Sequence, residues 1–250
     1  MGGHSHWSTI KRSKGAADAK RGQIFTRCSR EISVAAREGG GDPTMNPRLR
    51  LAIEKAKEQN MPNDTIKRAI EKGAGGGEGA NLEEIVFEGY GPGGVAILVE
   101  VVTDNRNRSV SALRTALSRG GGNLGESGSV AWQFESKGLI TIEADGADPD
   151  ELALAAIDAG ADDVQVDGSI IEVHTAPTEL AQVRTKLADG GFKIASAELS
   201  MIPKNTVPVD QDAARQALRL LDTIEDLDDV QKVYSNADFP EAALMEYAAA

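Results

Sequence analysis

Cysteine is almost missing from this chain: Cys28 is the only one in 250 residues. No internal disulfide can form and no cysteine-based metal site can be built. That usage fits a reducing compartment. Aromatic side chains make up only 4% of the residues, so cores built from the 40% hydrophobic fraction are small and aliphatic. With this length, small cores favour two or three little domains over one large one. Long apolar runs are also missing, since a stretch such as Val95–Val102 is too short to cross a bilayer. Charges arrive early, at Lys11, Arg12 and Lys14, with no apolar leader before them. These absences lead us to expect a cytoplasmic chain with no membrane partner.

Chemistry-bearing motifs are scarce too. There is no G-x-x-x-x-G-K-[ST] phosphate loop. Ser127 lies in Gly-Glu-Ser-Gly-Ser, which is not a nucleophile elbow. His4 and His6 form an isolated pair and His174 falls within a predicted strand, whereas a zinc site needs three or four placed ligands. Gly89-Tyr-Gly-Pro-Gly-Gly94 matches G-x-G-x-x-G, but a strand follows it where a dinucleotide site requires a helix. We therefore read it as a tight turn between strands. No metal, no cofactor and no catalysis are expected.

What is present is charge, unevenly placed. The net charge is −12, yet residues 1–72 hold 15 Lys and Arg against 8 Asp and Glu, while the remainder holds 12 against 31. A basic end at +7 on an acidic body at −19 points to a nucleic-acid-binding segment.

Residues 1–22 are rich in Gly, Ser and Lys without an apolar period and read as a flexible basic arm. Ile24, Phe25, Cys28, Ile32 and Ala35 recur at helical spacing up to Gly39–Gly41. Asn46-Pro47 is a cap and first-turn pair opening a second helix through Leu49, Ala52 and Ala56. A third helix begins near Asn63 or Asp64 and stops at Gly73, completing a bundle over 23–78. Strands at Ile85–Tyr90, Val95–Thr103 and Ser129–Glu135 follow, with a helix over Ser109–Arg119 and a Gly-rich loop at Gly120–Gly128. From Leu139 a β-α-β-β-α-β series appears, the order of a ferredoxin-like unit. A helix at Gln211–Leu221 and a strand at Val230–Ser235 then complete the earlier pieces. The fold class is α+β: a helical bundle, one α+β domain of 79–137 plus 204–238, a ferredoxin-like domain of 138–203 inserted into it, and a tail of 239–250.

Two groups of residues are candidates for binding. In the arm and first helix, Lys11, Arg12, Lys14, Lys20, Arg21, Arg27 and Arg30 can neutralise phosphates, and Trp7 can stack on an unpaired base. Arg106 and Arg108, between a strand end and a helix start, are candidates for holding an anion beside free backbone N–H groups. Capping and salt bridging explain them equally well, with Asn107 or Ser109 as the cap.

Six ordered segments resemble the YebC family. They are Gly3-His-Ser-His-Trp-Ser-Thr-Ile-Lys11, Asp18-Ala-Lys-Arg-Gly-Gln-Ile-Phe25, Met61-Pro-Asn-Asp-Thr-Ile-Lys-Arg-Ala-Ile70, Glu88-Gly-Tyr-Gly-Pro-Gly-Gly94, Thr103-Asp-Asn-Arg-Asn-Arg108 and Gly121-Gly-Asn-Leu-Gly125. The resemblance runs from about Met1 to about Ser235 and implies a cupped three-domain architecture without known catalysis. It implies a probable transcriptional regulator, in a family that includes a mitochondrial translational activator of cytochrome oxidase. His6 and Ser13 depart from the basic residues expected there, which weakens the arm's hold on phosphate. The expected partner is nucleic acid, as DNA for a transcriptional regulator or as ribosomal RNA or tRNA for a ribosome-associated translation factor. A phosphate-binding enzyme is the third reading, and a monomer is expected.

Overall fold

The computed structural model describes residues 18–75, 82–143, 148–167 and 170–249. Helix α1 spans Asp18–Gly39, α2 Pro47–Glu58 and α3 Asn63–Ala74. They share a core of Cys28, Ile32, Ala35, Leu49, Ala52, Ala56, Met61, Ile66 and Ala69. Asn46 caps α2, its side chain accepting from the Leu49 N–H at 3.0 Å, with Pro47 following. The start of α1 at Asp18 lies inside the stretch read as arm, because its first turn, Asp18-Ala-Lys-Arg21, offers one small apolar residue and no periodic stripe to announce it.

The next layer is a four-stranded sheet in the order β3-β1-β2-β9, from β1 (Glu83–Tyr90), β2 (Ala96–Thr103), β3 (Asn123–Leu124) and β9 (Val230–Ser235). Odd residues of β2, Ile97, Val99 and Val101, face α4 (Arg106–Arg119) and α7 (Gln211–Glu225), which contribute Leu113, Leu117, Leu218, Leu221 and Ile224 to a common core. The last helix, α8 (Glu241–Ala249), closes this core with Ala243 and Leu244, and the Tyr247 hydroxyl donates to Asp222 at 2.7 Å.

A second sheet has the order β5-β6-β4-β7, all antiparallel: β4 (Phe134–Glu143), β5 (Asp163–Asp167), β6 (Ile170–Thr175) and β7 (Ile194–Pro203). Helices α5 (Pro149–Ala159) and α6 (Leu180–Asp189) cover one face, burying Ile140, Ile142, Leu152, Ile171, Val173 and Val183. Short strands β8 (Val207–Pro208) and β10 (Ala237–Asp238) pair in parallel nearby.

Two expectations change. Ser129–Glu135 is a strand only in its last two residues: Ala131–Gln133 forms a 3-10 turn, and β4 starts at Phe134 and runs unbroken through Gly138. Glycine does not break β4 there because a Cβ would lie 2.2 Å from Thr175 Oγ1, so the neighbouring strand requires its absence. The cap of α4 is Asn105, whose Oδ1 accepts from Arg108 N–H at 3.1 Å. The helix therefore begins before Ser109, and Arg106 and Arg108 sit in its first turn.

Candidate nucleic-acid interface

Trp7, Lys11, Arg12 and Lys14 lie outside the described residues, as does the side chain of Lys20. Arg21 is exposed and has a partner. The other two predicted cations of α1 are occupied within the chain. Arg27 donates to the Glu225 carbonyl and Arg30 to the Asp228 carbonyl, while Gln23 reaches the Asp226 carbonyl at 3.4 Å. These acceptors cluster at the end of α7, where carbonyls without helical partners carry partial negative charge and favour cations. Arg30 also meets Asp229 at 3.0 Å.

Asp229 is the centre of this contact. Its side chain is 9% exposed and accepts from Thr103 Oγ1 at 3.1 Å, Ser109 Oγ at 2.7 Å and Arg108 Nη2 at 2.9 Å. Burial pushes its carboxyl up, but hydrogen bonds from Ser109, Arg108 and Thr103 and the charge of Arg30 outweigh that and hold it below the usual carboxylate range. Arg108 therefore has a structural task, shared with Asp104 at 2.8 Å. Arg106 differs: among the described residues its side chain makes no hydrogen bond or ion pair. It lines an open groove of about 1200 Å3 with Arg37, Glu38, Asp104 and Ser127, along the Glu83–Val86 edge of β1.

The Gly-rich segments lie together at the opposite end of this sheet. Gly89 pairs with Leu124, and a Cβ on Gly122 would stand 2.3 Å from the Tyr90 carbonyl oxygen. Close backbone approach accounts for these glycines, in line with a tight turn.

Besides Arg106, four cations of the helical domain are left to solvent that the sequence did not single out. Arg50 and Lys57 on α2, and Arg68 and Lys72 on α3, are exposed and without a partner among the described residues. Arg50 and Lys57 are seven residues apart and Arg68 and Lys72 four apart, so each pair shares one helical face turned away from the core. That spacing was the available signal. Other cations have partners: Arg37 the Leu82 carbonyl, Arg48 Glu38 and Glu84, and Lys55 Glu31 at 3.5 Å and Glu198 at 3.8 Å.

Fold and charge together define a mixed α+β protein with a basic helical end bound to an acidic body. The family models "TACO1/YebC protein N-terminal domain" and "TACO1/YebC second and third domain" match residues 5–76 and 82–237. The chain belongs to the TACO1/YebC family. It is 56% identical over 247 residues to a "probable transcriptional regulatory protein" of Dehalococcoides mccartyi, covering 99% of this chain and 98% of that protein. A protein of the same description from Rubrobacter xylanophilus is 55% identical over 249 residues, covering 99% of this chain and all of that one. The crystal structure of a conserved hypothetical protein, Aq1575 from Aquifex aeolicus, superposes with a TM-score of 0.83 at 47% identity, covering 90% of this chain and 93% of that one. Among the described residues no helix is long and apolar enough to cross a membrane.

Proposed function

We propose that this chain is a non-enzymatic regulator of gene expression that binds nucleic acid. The contact is made by the arm, with Trp7, Lys11, Arg12, Lys14 and Lys20, and by the outward cations Arg50, Lys57, Arg68 and Lys72. Arg106 adds an anion contact at the head of α4. The helical domain carries this surface, and the acidic ferredoxin-like domain of 138–203, inserted in its α+β host, meets it on another side through Glu198 at Lys55. The observation that carries the reading is the division of labour among cations. Arg27, Arg30 and Arg108 hold the fold together, while Arg50 and Lys57 of α2 and Arg68 and Lys72 of α3 remain open.

The relatives' name favours DNA. The −19 balance beyond residue 72 favours a second target, structured RNA in a ribosome. There, acidic domains face basic proteins, and shape and phosphate contacts suffice for recognition. A long duplex would repel the same acids.

The test measures affinity for ribosomes, an RNA stem-loop and duplex DNA in parallel across salt concentrations. Four to seven phosphate contacts give a log–log slope of roughly −3 to −6. Arg50→Gln, Lys57→Gln, Arg68→Gln and Lys72→Gln together reduce that slope by about 3, with stability changed by no more than about 1 kcal/mol. Salt-insensitive binding with strong preference for one duplex sequence overturns the proposal, and selective loss for RNA or for DNA decides the target.

A further inference from the structure

One large aromatic side chain is left in solvent by a loop built to hold it there. Trp132 is 66% exposed, although its neighbours Val130 and Phe134 are buried under the sheet with Leu98 and Tyr234. The loop that carries it is fixed from several sides. Glu88, buried to 6% exposure, accepts the N–H groups of Gly128 at 2.6 Å, Val130 at 2.6 Å and Ala131 at 2.7 Å. Tyr90 donates its hydroxyl to the Ser129 carbonyl at 3.0 Å, and the indole N–H of Trp132 reaches the same oxygen at 3.1 Å. Lys204 donates to the Trp132 carbonyl at 3.0 Å, and its own N–H donates to the Gln133 carbonyl at 2.8 Å.

Fold stability does not account for this arrangement. A buried carboxylate with three backbone donors fixes the loop, but the indole on that loop buries little surface and so gains little of the usual aromatic contribution. A ring whose position is set in advance loses little freedom when a flat partner lies on it. The local charges select among partners. Lys204 is exposed and has no carboxylate partner among the described residues. Glu88 is satisfied by its backbone donors and Glu135 by Lys137 at 3.5 Å, leaving Glu126 as an exposed acid of the turn. An aromatic face beside an ammonium that no carboxylate neutralises suits a base joined to a phosphate.

We propose that Trp132 is a stacking platform for one unpaired base of a single-stranded nucleic acid, with Lys204 meeting the adjoining phosphate. The site rests on the nucleic-acid reading above and adds to it a contact on the α+β body, far along the chain from the basic arm.

The test uses the full chain labelled with 5-fluorotryptophan, whose two tryptophans give two fluorine resonances. Loss of one resonance in Trp132→Leu assigns the other to Trp7. Probes are a short single-stranded oligoribonucleotide and an abasic oligomer of equal length and charge. The Trp132 resonance shifts with the base-bearing oligomer and not with the abasic one. Trp132→Leu lowers affinity for the base-bearing oligomer by about 5- to 150-fold and leaves the abasic one unchanged. Trp132→Phe retains most of the affinity, and Lys204→Gln weakens both oligomers alike. Because the ring is exposed, these variants fold. A Trp132 resonance unmoved at saturation, while binding still requires residues 1–17, overturns the platform and leaves the nucleic-acid reading standing. Failure of the full chain to bind any nucleic acid overturns both.

Discussion

Replacing Asp229 by alanine tests the contact between the basic helices and the acidic body. The substitution removes one carboxylate that four side chains share. Ser109 and Thr103 are 3% and 0% exposed, so water cannot freely replace their lost acceptor. Ser109 Oγ has a second acceptor in the Asn105 carbonyl at 3.3 Å, which limits its loss. Arg108 is half exposed and rehydrates, whereas Arg30, 19% exposed, loses an ion pair and keeps only the Asp228 carbonyl. Leaving a largely buried cation and two buried hydroxyls short of partners costs about 3 kcal/mol. For a chain of this size that lowers the first thermal transition by roughly 6–12 °C. Circular dichroism follows the melt, and limited proteolysis between residues 75 and 82 reports whether the helical domain has come loose. If Asp229→Ala melts within about 1 °C of the wild type, the cluster does not join the domains and the assignment of Arg30 and Arg108 to fold rather than function is refuted.

Glu88 gives a pH test. Burial raises its pKa, but three backbone N–H groups outweigh that and hold it below the ordinary 4.5. A depressed folded pKa means its stabilisation is complete above that ordinary value and disappears as pH falls through the folded one. Urea midpoints measured from neutral to strongly acidic pH should therefore fall less steeply in Glu88→Gln than in wild type, and parallel curves would contradict the geometry. Gly122→Ala places a Cβ against the Tyr90 carbonyl oxygen and should cost about 3 kcal/mol or more. Gly128→Ala has open space around it and meets only the strain of a φ of +86°, for about 1 kcal/mol. Equal losses in chemical unfolding would sink that distinction.

Where structure follows from neighbouring residues, the sequence was readable. Asn46-Pro47 announced α2, and the alternation of strand and helix from Leu139 onward foretold the elements of the second sheet. The strand expected at Ser129–Glu135 failed because Val130 and Phe134 bury themselves on either side of a turn, and that spacing also fits a strand. The partners of Arg27 and Arg30 lie 198 residues away, and no local pattern announces acceptors supplied by a distant helix end. Trp132 was passed over for the same reason. Its exposure is decided by Glu88, which reaches it only through the folded sheet.

The guanidinium of Arg30 rests on a carboxylate and a carbonyl much as it would on a phosphodiester. The chain thus carries an internal mimic of a polyanion. A phosphate could take the Arg30 guanidinium only in place of Asp229 and the Asp228 carbonyl, the same groups that tie α1 to the body.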